Sequence, residues 1–388
     1  MIRHIAAALA LGLALAGSAP AIAEPLKVVS ESAPSPPNIS RLVVHSDRLN
    51  RDFVIGVNLP AATVFLPGQK LPAIYALDSG YGIAGVQGTL LANTGAMAPA
   101  IIVSVGYLPT GGLFRNIDLT HNRFTISPTM PPVGGGGAAF EAFLLEDLKP
   151  FIEAKYPADP GRAVLFGHSL AGLFAANVFA DNPDAFSAYI IGSASVWADP
   201  PVVARVAAAA AKAHGRRVYL TVGSNESAGA INGDNRMVDG FQSLAGALKG
   251  HPGVILKTQL YPGETHLSYY PRLVTDGFPY VLPPARKLTA GQMKLPAATL
   301  ARYVGLYKMP DGREIKVTSD PTGQLAGQVT GIPQVPLLQN GPDRFYAPTS
   351  DLDVVFDKTG MTLAGGGGRL RVEREAGPPD ARPTSSTK

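Results

Sequence analysis

An apolar run that ends in a serine flanked by small residues is the feature that most constrains the fold of this 388-residue chain. Residues 164–174 read VLFGHSLAGLF, a strand-like segment that passes directly into an alanine-rich helical segment. A strand that turns sharply into a helix needs small neighbours, because the two backbones pass close together, and the strained turn exposes the serine hydroxyl group. The pattern predicts a nucleophile elbow at Ser169, in preference to a serine that only caps a helix.

Short apolar runs alternate with helical patterns on both sides of this serine. The runs lie at 73–77, 100–105, 163–166, 188–191, 218–222 and 254–256, and the helical patterns lie at 86–92, 138–155, 170–180, 201–213 and 236–249. Nearly continuous apolar runs of this length are typical of buried parallel strands. The alternation predicts an α/β fold with a doubly wound, mostly parallel sheet, preceded by an antiparallel hairpin at 41–45 and 52–59.

Changes in composition and hydrophobic periodicity along the chain predict five consecutive segments. Residues 1–23 form a signal peptide and residues 24–40 a Pro/Ser-rich lead-in without periodicity. Residues 41–288 form the α/β domain, and residues 294–376 form a small antiparallel β domain with Gly-containing turns. Residues 377–388 form a disordered tail.

The first segment predicts export, most simply to a bacterial periplasm. Arg3 supplies positive charge, residues 5–17 are apolar but too short to span a bilayer, and residues 21–23 read AIA, a small-x-small cleavage pattern. The chain has no cysteine, which excludes disulfides, thiolate metal sites and a cysteine nucleophile. A formal net charge of +4 is too small to indicate a nucleic-acid partner. No metal or nucleotide motif occurs, so no cofactor is expected. Because the apolar stretch at 5–17 is too short, no stable membrane span is expected either.

A serine nucleophile needs a base and an orienting acid, which on this fold follow it in the order acid and then histidine. His266 follows a predicted strand and is the expected general base, because the other histidines lie before the elbow, inside it or before strands. Glu226 follows the strand at 218–222 and is the expected acid. Asp234 is an alternative acid that can instead begin a helix, and a Ser-His dyad without any acid stays open.

The oxyanion hole needs two backbone N–H donors, expected from Leu170 and Gly80, with Tyr81 as the next candidate. Residues 108–137 form a long Pro/Gly-rich insertion that can lie over the site as a lid. Arg115, in this insertion, is a candidate for binding an anionic or catechol group, or else it pairs with Asp118. Trp197 is a candidate wall for an aromatic acyl pocket, or else it packs its own loop.

Taken together, several motifs make the chain resemble a known esterase family. These motifs are Leu77-Asp78, RNIDLT at 115–120, GHSLAGLF at 167–174, SASVW at 193–197, GSNE at 223–226 and His266. The family includes esterase D-like enzymes, bacterial feruloyl esterases and the esterases that open catecholate siderophores. The resemblance covers about residues 40–285 and implies an α/β-hydrolase fold and hydrolysis of carboxylic esters. It places Ser169 and His266 at the catalytic positions and Glu226 at the acid position.

Two residues depart from that family's pattern. Ala171 stands where the family usually has glycine, and His121 follows Asp-Leu-Thr where proline is common.

The expected function is an exported serine esterase that forms an acyl-Ser169 intermediate on a small-molecule ester. The same residues also fit an acyltransferase, and a non-catalytic binding protein on a hydrolase scaffold is a third alternative. The sequence does not determine the identity of the ester or the oligomeric state.

Overall fold

The computed structural model describes most of the chain. The described residues are 26–32, 38–60, 66, 68–78, 82–109, 114–126, 129–227, 236–284, 295–320, 322–330, 334–365 and 368–375. The predicted signal peptide and the predicted tail lie outside these ranges. Within them, no helix combines the length and the apolar character that a membrane crossing requires.

Eleven strands belong to the N-terminal unit in the described part of the chain. In chain order they are β1 (Lys27–Ser32), β2 (Ile39–Ser46), β3 (Arg51–Asn58), β4 (Leu71–Leu77), β5 (Ile101–Tyr107), β6 (Arg123–Phe124), β7 (Val133–Gly134), β8 (Ala158–His168), β9 (Ala188–Gly192), β10 (Arg216–Gly223) and β11 (Val254–Tyr261). Nine of them form one sheet in the order β1-β2-β3-β5-β4-β8-β9-β10-β11, and β6 pairs with β7 in a separate ribbon. From β5 to β11 in this order all neighbours are parallel, whereas β1, β2, β3 and β5 pair antiparallel.

Helices cover both faces of this sheet. They are α1 (Ile83–Asn93), α2 (Phe114–Asp118), α3 (Gly137–Ala142), α4 (Lys149–Lys155), α5 (Leu170–Asp181), α6 (Val202–Ala210), α7 (Met237–Leu248) and α8 (Tyr270–Val281). A π-helical turn, Phe143–Leu148, joins α3 to α4. One large apolar core lies on one side of the sheet and a second on the other, so central strands such as β4 are buried along their whole length. The predicted doubly wound α/β architecture is confirmed.

The sheet begins earlier than the predicted boundary at residue 41. β1 lies within residues 24–40, the predicted lead-in without periodicity, and it pairs antiparallel with β2. All six residues of β1 are exposed. An edge strand without a buried face needs no apolar alternation, so its sequence carries no strand signal. The predicted hairpin at 41–45 and 52–59 is present as β2 and β3.

The C-terminal residues form a separate antiparallel unit, as predicted. After the short helix α9 (Ala297–Leu300), eight strands follow: β12 (Gly305–Lys308), β13 (Glu314–Ser319), β14 (Leu325–Val329), β15 (Val335–Gly341), β16 (Arg344–Ala347), β17 (Leu352–Phe356), β18 (Gly360–Gly365) and β19 (Gly368–Arg374). β19 pairs with β12 and closes a barrel. Side chains such as Tyr307, Phe345 and Phe356 fill its core, to which Leu66 of the N-terminal part of the chain also contributes. The barrel is thus a packed module rather than a ligand-binding cup.

Candidate active site

The turn predicted at Ser169 is present between β8, which ends at His168, and α5, which begins at Leu170. Ser169 has φ 64° and ψ −123°, a conformation that L-residues rarely adopt. A Cβ atom on Gly167 would lie 2.0 Å from the carbonyl oxygen of Ala171, and one on Gly172 would lie 2.5 Å from that of Gly192. The elbow therefore requires both glycines, whereas Ala171 itself is accommodated in the core.

The predicted base and acid are in contact. His266 follows β11, and its Nδ1 lies 2.7 Å from Oε2 of Glu226, in a short turn after β10. The other oxygen, Oε1, accepts hydrogen bonds from the Ser193 hydroxyl group at 2.6 Å and from the Gly223 backbone N–H at 2.8 Å. Because parallel β10 and β11 end at the same sheet edge, their loops bring the two side chains together. A fully buried carboxylate with this many partners is fixed in position.

Ser193 belongs to the SASVW motif, but the sequence analysis assigned it no role in the site. It directly follows β9, has a positive φ of 38° and is fully buried. Besides Glu226, its hydroxyl oxygen lies 2.6 Å from the hydroxyl group of Tyr269. Ser193 directly follows a strand at the sheet edge where Ser169 and Glu226 also follow strands. This position is the sequence signal that would have indicated a role for Ser193 in the site.

His168 lies against His266 rather than only beneath the site. The two ring centroids are 4.5 Å apart, and Tyr269 and Tyr270 pack around the His168 ring. Burial, together with the charge of His266, lowers the pKa of His168 to about 3. Its Nε2 is buried without a hydrogen-bond partner among the described residues. His168 is therefore a neutral ring that packs on His266.

An open cavity of about 500 Å³ leads to Ser169 and His266. Its other lining residues are Asp78, Ile83, Arg115, His168, Leu267, Tyr270 and Pro271. The Nε of Arg115 donates a 2.6 Å hydrogen bond to Asp78 Oδ2. Burial raises the pKa of Asp78, and Arg115 opposes this shift. The cavity thus combines apolar walls with the Arg115–Asp78 ion pair and Ser169.

The alternative prediction, that Arg115 pairs with Asp118, is wrong. Asp118 is buried and bonds instead to Arg51, which lies on β3. Burial raises the pKa of Asp118 to about 6, against the influence of Arg51. Arg115, one turn earlier on α2, is consequently directed to Asp78 and the cavity.

Trp197 lies outside this cavity. It lines a second, more open cavity of about 280 Å³ together with residues of α7 such as Gly240 and Ser243. Its ring makes an edge contact with Phe124 of the insertion, with centroids 5.5 Å apart. Its observed role is to pack its loop against the insertion.

One of the two expected oxyanion donors lies within the described residues. Leu170 is the first residue of α5, and the first N–H groups of a helix have no partner within that helix. Gly80 and Tyr81 lie outside the described residues, as does the alternative acid Asp234. The described parts of the insertion comprise α2 and the β6–β7 ribbon, and Arg115 is the insertion residue that lines the cavity.

Comparisons with known proteins identify similar esterases. The ferri-bacillibactin esterase BesA of Bacillus subtilis (strain 168) is 32% identical over 262 residues, which are 61% of this chain and 86% of the relative. The solved structure of BES protein from Bacillus cereus is 30% identical, covers 63% of this chain and 96% of its own, and has a TM-score of 0.54. The siderophore hydrolase EstA from Aspergillus nidulans shares the fold, with 22% identity, 62% and 93% coverage and a TM-score of 0.55.

A family model described as "Putative esterase" matches residues 46–245, just over half of the chain. The matched range holds the elbow and Glu226. His266 lies beyond it. The chain therefore belongs to this esterase family of the α/β-hydrolase fold and is an ester-hydrolysing enzyme.

Proposed function

We propose that the chain is an exported serine esterase that works through an acyl-Ser169 intermediate. The observation that carries this proposal is the 2.7 Å contact between His266 Nδ1 and Glu226. With Nδ1–H donated to a buried carboxylate, Nε2 is the ring atom left to accept a proton. Ser169 and His266 line the same cavity. We therefore assign the proton that Nε2 accepts to the Ser169 hydroxyl group.

The reaction proceeds in two halves. Ser169 Oγ attacks the ester carbonyl carbon while His266 takes its proton, and Glu226 stabilises the imidazolium that forms. The negative charge on the carbonyl oxygen is held by the backbone N–H of Leu170 at the start of α5 and by that of Gly80. His266 then protonates the leaving alcohol, and a water molecule, activated by the same histidine, releases the acid.

The proposed substrate is a siderophore ester. Support comes from the name of one similar protein, the ferri-bacillibactin esterase at 32% identity, and from the site itself. Arg115 places a guanidinium at the edge of the cavity, where it suits an anionic or catechol oxygen. Export is proposed from the signal-peptide pattern of residues 1–23.

The proposal is tested with Ser169→Ala and with a matched control, Ser243→Ala, which changes an exposed serine on α7. A covalent serine-hydrolase probe is expected to label the wild type and Ser243→Ala but not Ser169→Ala. Turnover of p-nitrophenyl esters is expected to follow the labelling. Wild-type turnover in Ser169→Ala would contradict the proposed nucleophile.

The substrate is tested with a panel of a siderophore trilactone, a feruloyl ester and a short acyl ester. The trilactone is expected to give the highest kcat/KM. The same assays with added alcohol distinguish hydrolysis from acyl transfer, because a transferase yields a new ester in place of the free acid. Preference for a different ester would refute the substrate assignment and leave the triad intact.

A further inference from the structure

Three side chains far apart in the sequence meet away from the Ser169 cavity. His121 lies between α2 and β6, Glu141 is on α3, and Asp181 ends α5. His121 Nε2 lies 3.2 Å from Glu141 Oε2 and 3.3 Å from Asp181 Oδ2. All three atoms lie within 4.8 Å of one another. Glu141 and His121 are mostly buried, whereas Asp181 is 41% exposed.

One histidine nitrogen cannot satisfy two carboxylates. Whether the imidazole is neutral or charged, Nε2 carries at most one hydrogen atom, and two carboxylate oxygens face it at nearly equal distances. A cation bound at that point would contact all three atoms at once. The geometry therefore suits a metal ion better than a shared proton.

The surrounding charges leave this point negative. Arg205 is bonded to Asp181 Oδ1 at 3.0 Å and to Asp199 Oδ2 at 3.0 Å, so one guanidinium serves two carboxylates. Glu141, whose side chain is only 12% exposed, adds a third carboxylate, so the carboxylates outnumber the guanidinium. The carboxylates of Glu141 and Asp181 repel each other unless a cation lies between them.

We propose that His121, Glu141 and Asp181 form a binding site for one divalent transition-metal ion, with Zn²⁺ as the best match. Imidazole with carboxylates is a ligand set that Zn²⁺ accepts, while Mg²⁺ and Ca²⁺ prefer oxygen ligands only. Ligands about 2.0–2.1 Å from a tetrahedral ion lie about 3.3 Å apart. The two measured separations agree with that spacing, and the exposed side of Asp181 admits water as a fourth ligand.

The expected effect of the ion is to join three elements. α5 begins at the Leu170 end of the elbow and ends at Asp181, and His121 belongs to the same insertion as Arg115. A bound ion would tie the insertion to α3 and α5 and raise the stability of the folded chain, because it binds the folded state alone. This inference does not depend on the proposed ester chemistry.

The test measures Zn²⁺ binding to the full chain after chelator treatment, by calorimetry and by the change in Tm. The expected result is one ion per chain and a Tm that rises with Zn²⁺ concentration. His121→Gln and Glu141→Gln should each weaken binding at least tenfold and remove the Tm rise. His214→Gln is the matched control, because His214 pairs with Asp184 on an exposed surface and should leave binding unchanged.

Asp181→Asn provides a second test if either variant fails to fold, since Asp181 is the most exposed of the three ligands. The proposal is overturned if the wild type binds no stoichiometric Zn²⁺. It is equally overturned if the His121 and Glu141 variants bind Zn²⁺ as the wild type does. In either case the cluster is an ion-pair network that fixes the insertion without a metal.

Discussion

Ser193 holds Glu226 from the side opposite His266, through a 2.6 Å hydrogen bond to the carboxylate oxygen that His266 does not contact. Both residues are fully buried. A hydrogen bond to a buried charge contributes about 1.5–3 kcal/mol, so the position of Glu226, and with it the orientation of His266, depends on a serine from a third strand end. The chain of contacts therefore runs from His266 through Glu226 to Ser193.

We expect Ser193→Ala to lower kcat about tenfold with little change in KM, because a less constrained Glu226 orients His266 less well. The measurement is steady-state kinetics together with the pH profile of kcat/KM. Tyr269→Phe is the matched control, since it removes a hydroxyl group that contacts Ser193 but leaves the bond from Ser193 to Glu226. Equal losses in the two variants would indicate a packing effect rather than one on Glu226.

Glu226→Gln should lower kcat by two orders of magnitude or more while KM stays similar, because the charge matters most when the imidazolium forms. Glu264→Gln is a suitable control, since Glu264 lies in the same turn as His266 but bonds to Ser268. The same assay on Asp234→Asn is expected to give nearly wild-type rates. A normal rate in Glu226→Gln would favour the dyad, or Asp234 if that variant is inactive.

Gly167→Ala should abolish folding or activity, because its methyl group would lie 2.0 Å from the backbone of Ala171. Ala171→Gly, which introduces the residue usual in the family, should retain activity and cost only about 1 kcal/mol through its lower helix propensity. Thermal unfolding and ester turnover of the two variants provide the comparison. A stable, active Gly167→Ala protein would show that the turn has another geometry.

Arg115→Gln should raise KM for an anionic ester about tenfold and leave KM for a neutral short acyl ester nearly unchanged. The side chain lines the cavity and is paired with Asp78. Removing its charge also removes the influence that opposes the raised pKa of Asp78. Equal KM increases for both esters would instead assign Arg115 a structural role through Asp78.

Acid should destabilise the protein through His168. Its pKa is about 3 in the folded state, below the ordinary value of 6.5, so between these values the unfolded chain binds more protons. Stability is therefore fully present above about pH 6.5 and falls by up to about 1.4 kcal/mol per pH unit as the pH drops towards 3. His168→Phe should flatten this slope in denaturant titrations at several pH values, and an unchanged slope would contradict the assignment.

The sequence was sufficient for elements whose signal is local. The run at 163–166 and the helix after Ser169 are found as β8 and α5, because a buried strand and an alanine-rich helix both have continuous patterns. His266 and Glu226 followed from the order of residues around strand ends, a rule that depends on topology alone. These predictions required no knowledge of side-chain packing.

Features that depend on distant contacts were not predictable. The partner of Arg115 is Asp78, 37 positions away, and the nearer Asp118 is used by Arg51. α8 was missed because prolines at its start and interior, including Pro279, obscure the helical pattern. Ser193 begins the SASVW motif, but its contact with Glu226 depends on strand ends that are distant in the sequence.

A closed barrel offers no free strand to a neighbouring molecule, whereas the open N-terminal sheet ends in β1 and β11. β1 is exposed throughout, but Lys27 and Glu31 on it form ion pairs with Asp47 and Lys155. Charged residues on an edge discourage a foreign strand from adding to it. The two units therefore protect themselves against strand addition in different ways, the barrel by closing on itself and the sheet edge at β1 by its charged residues.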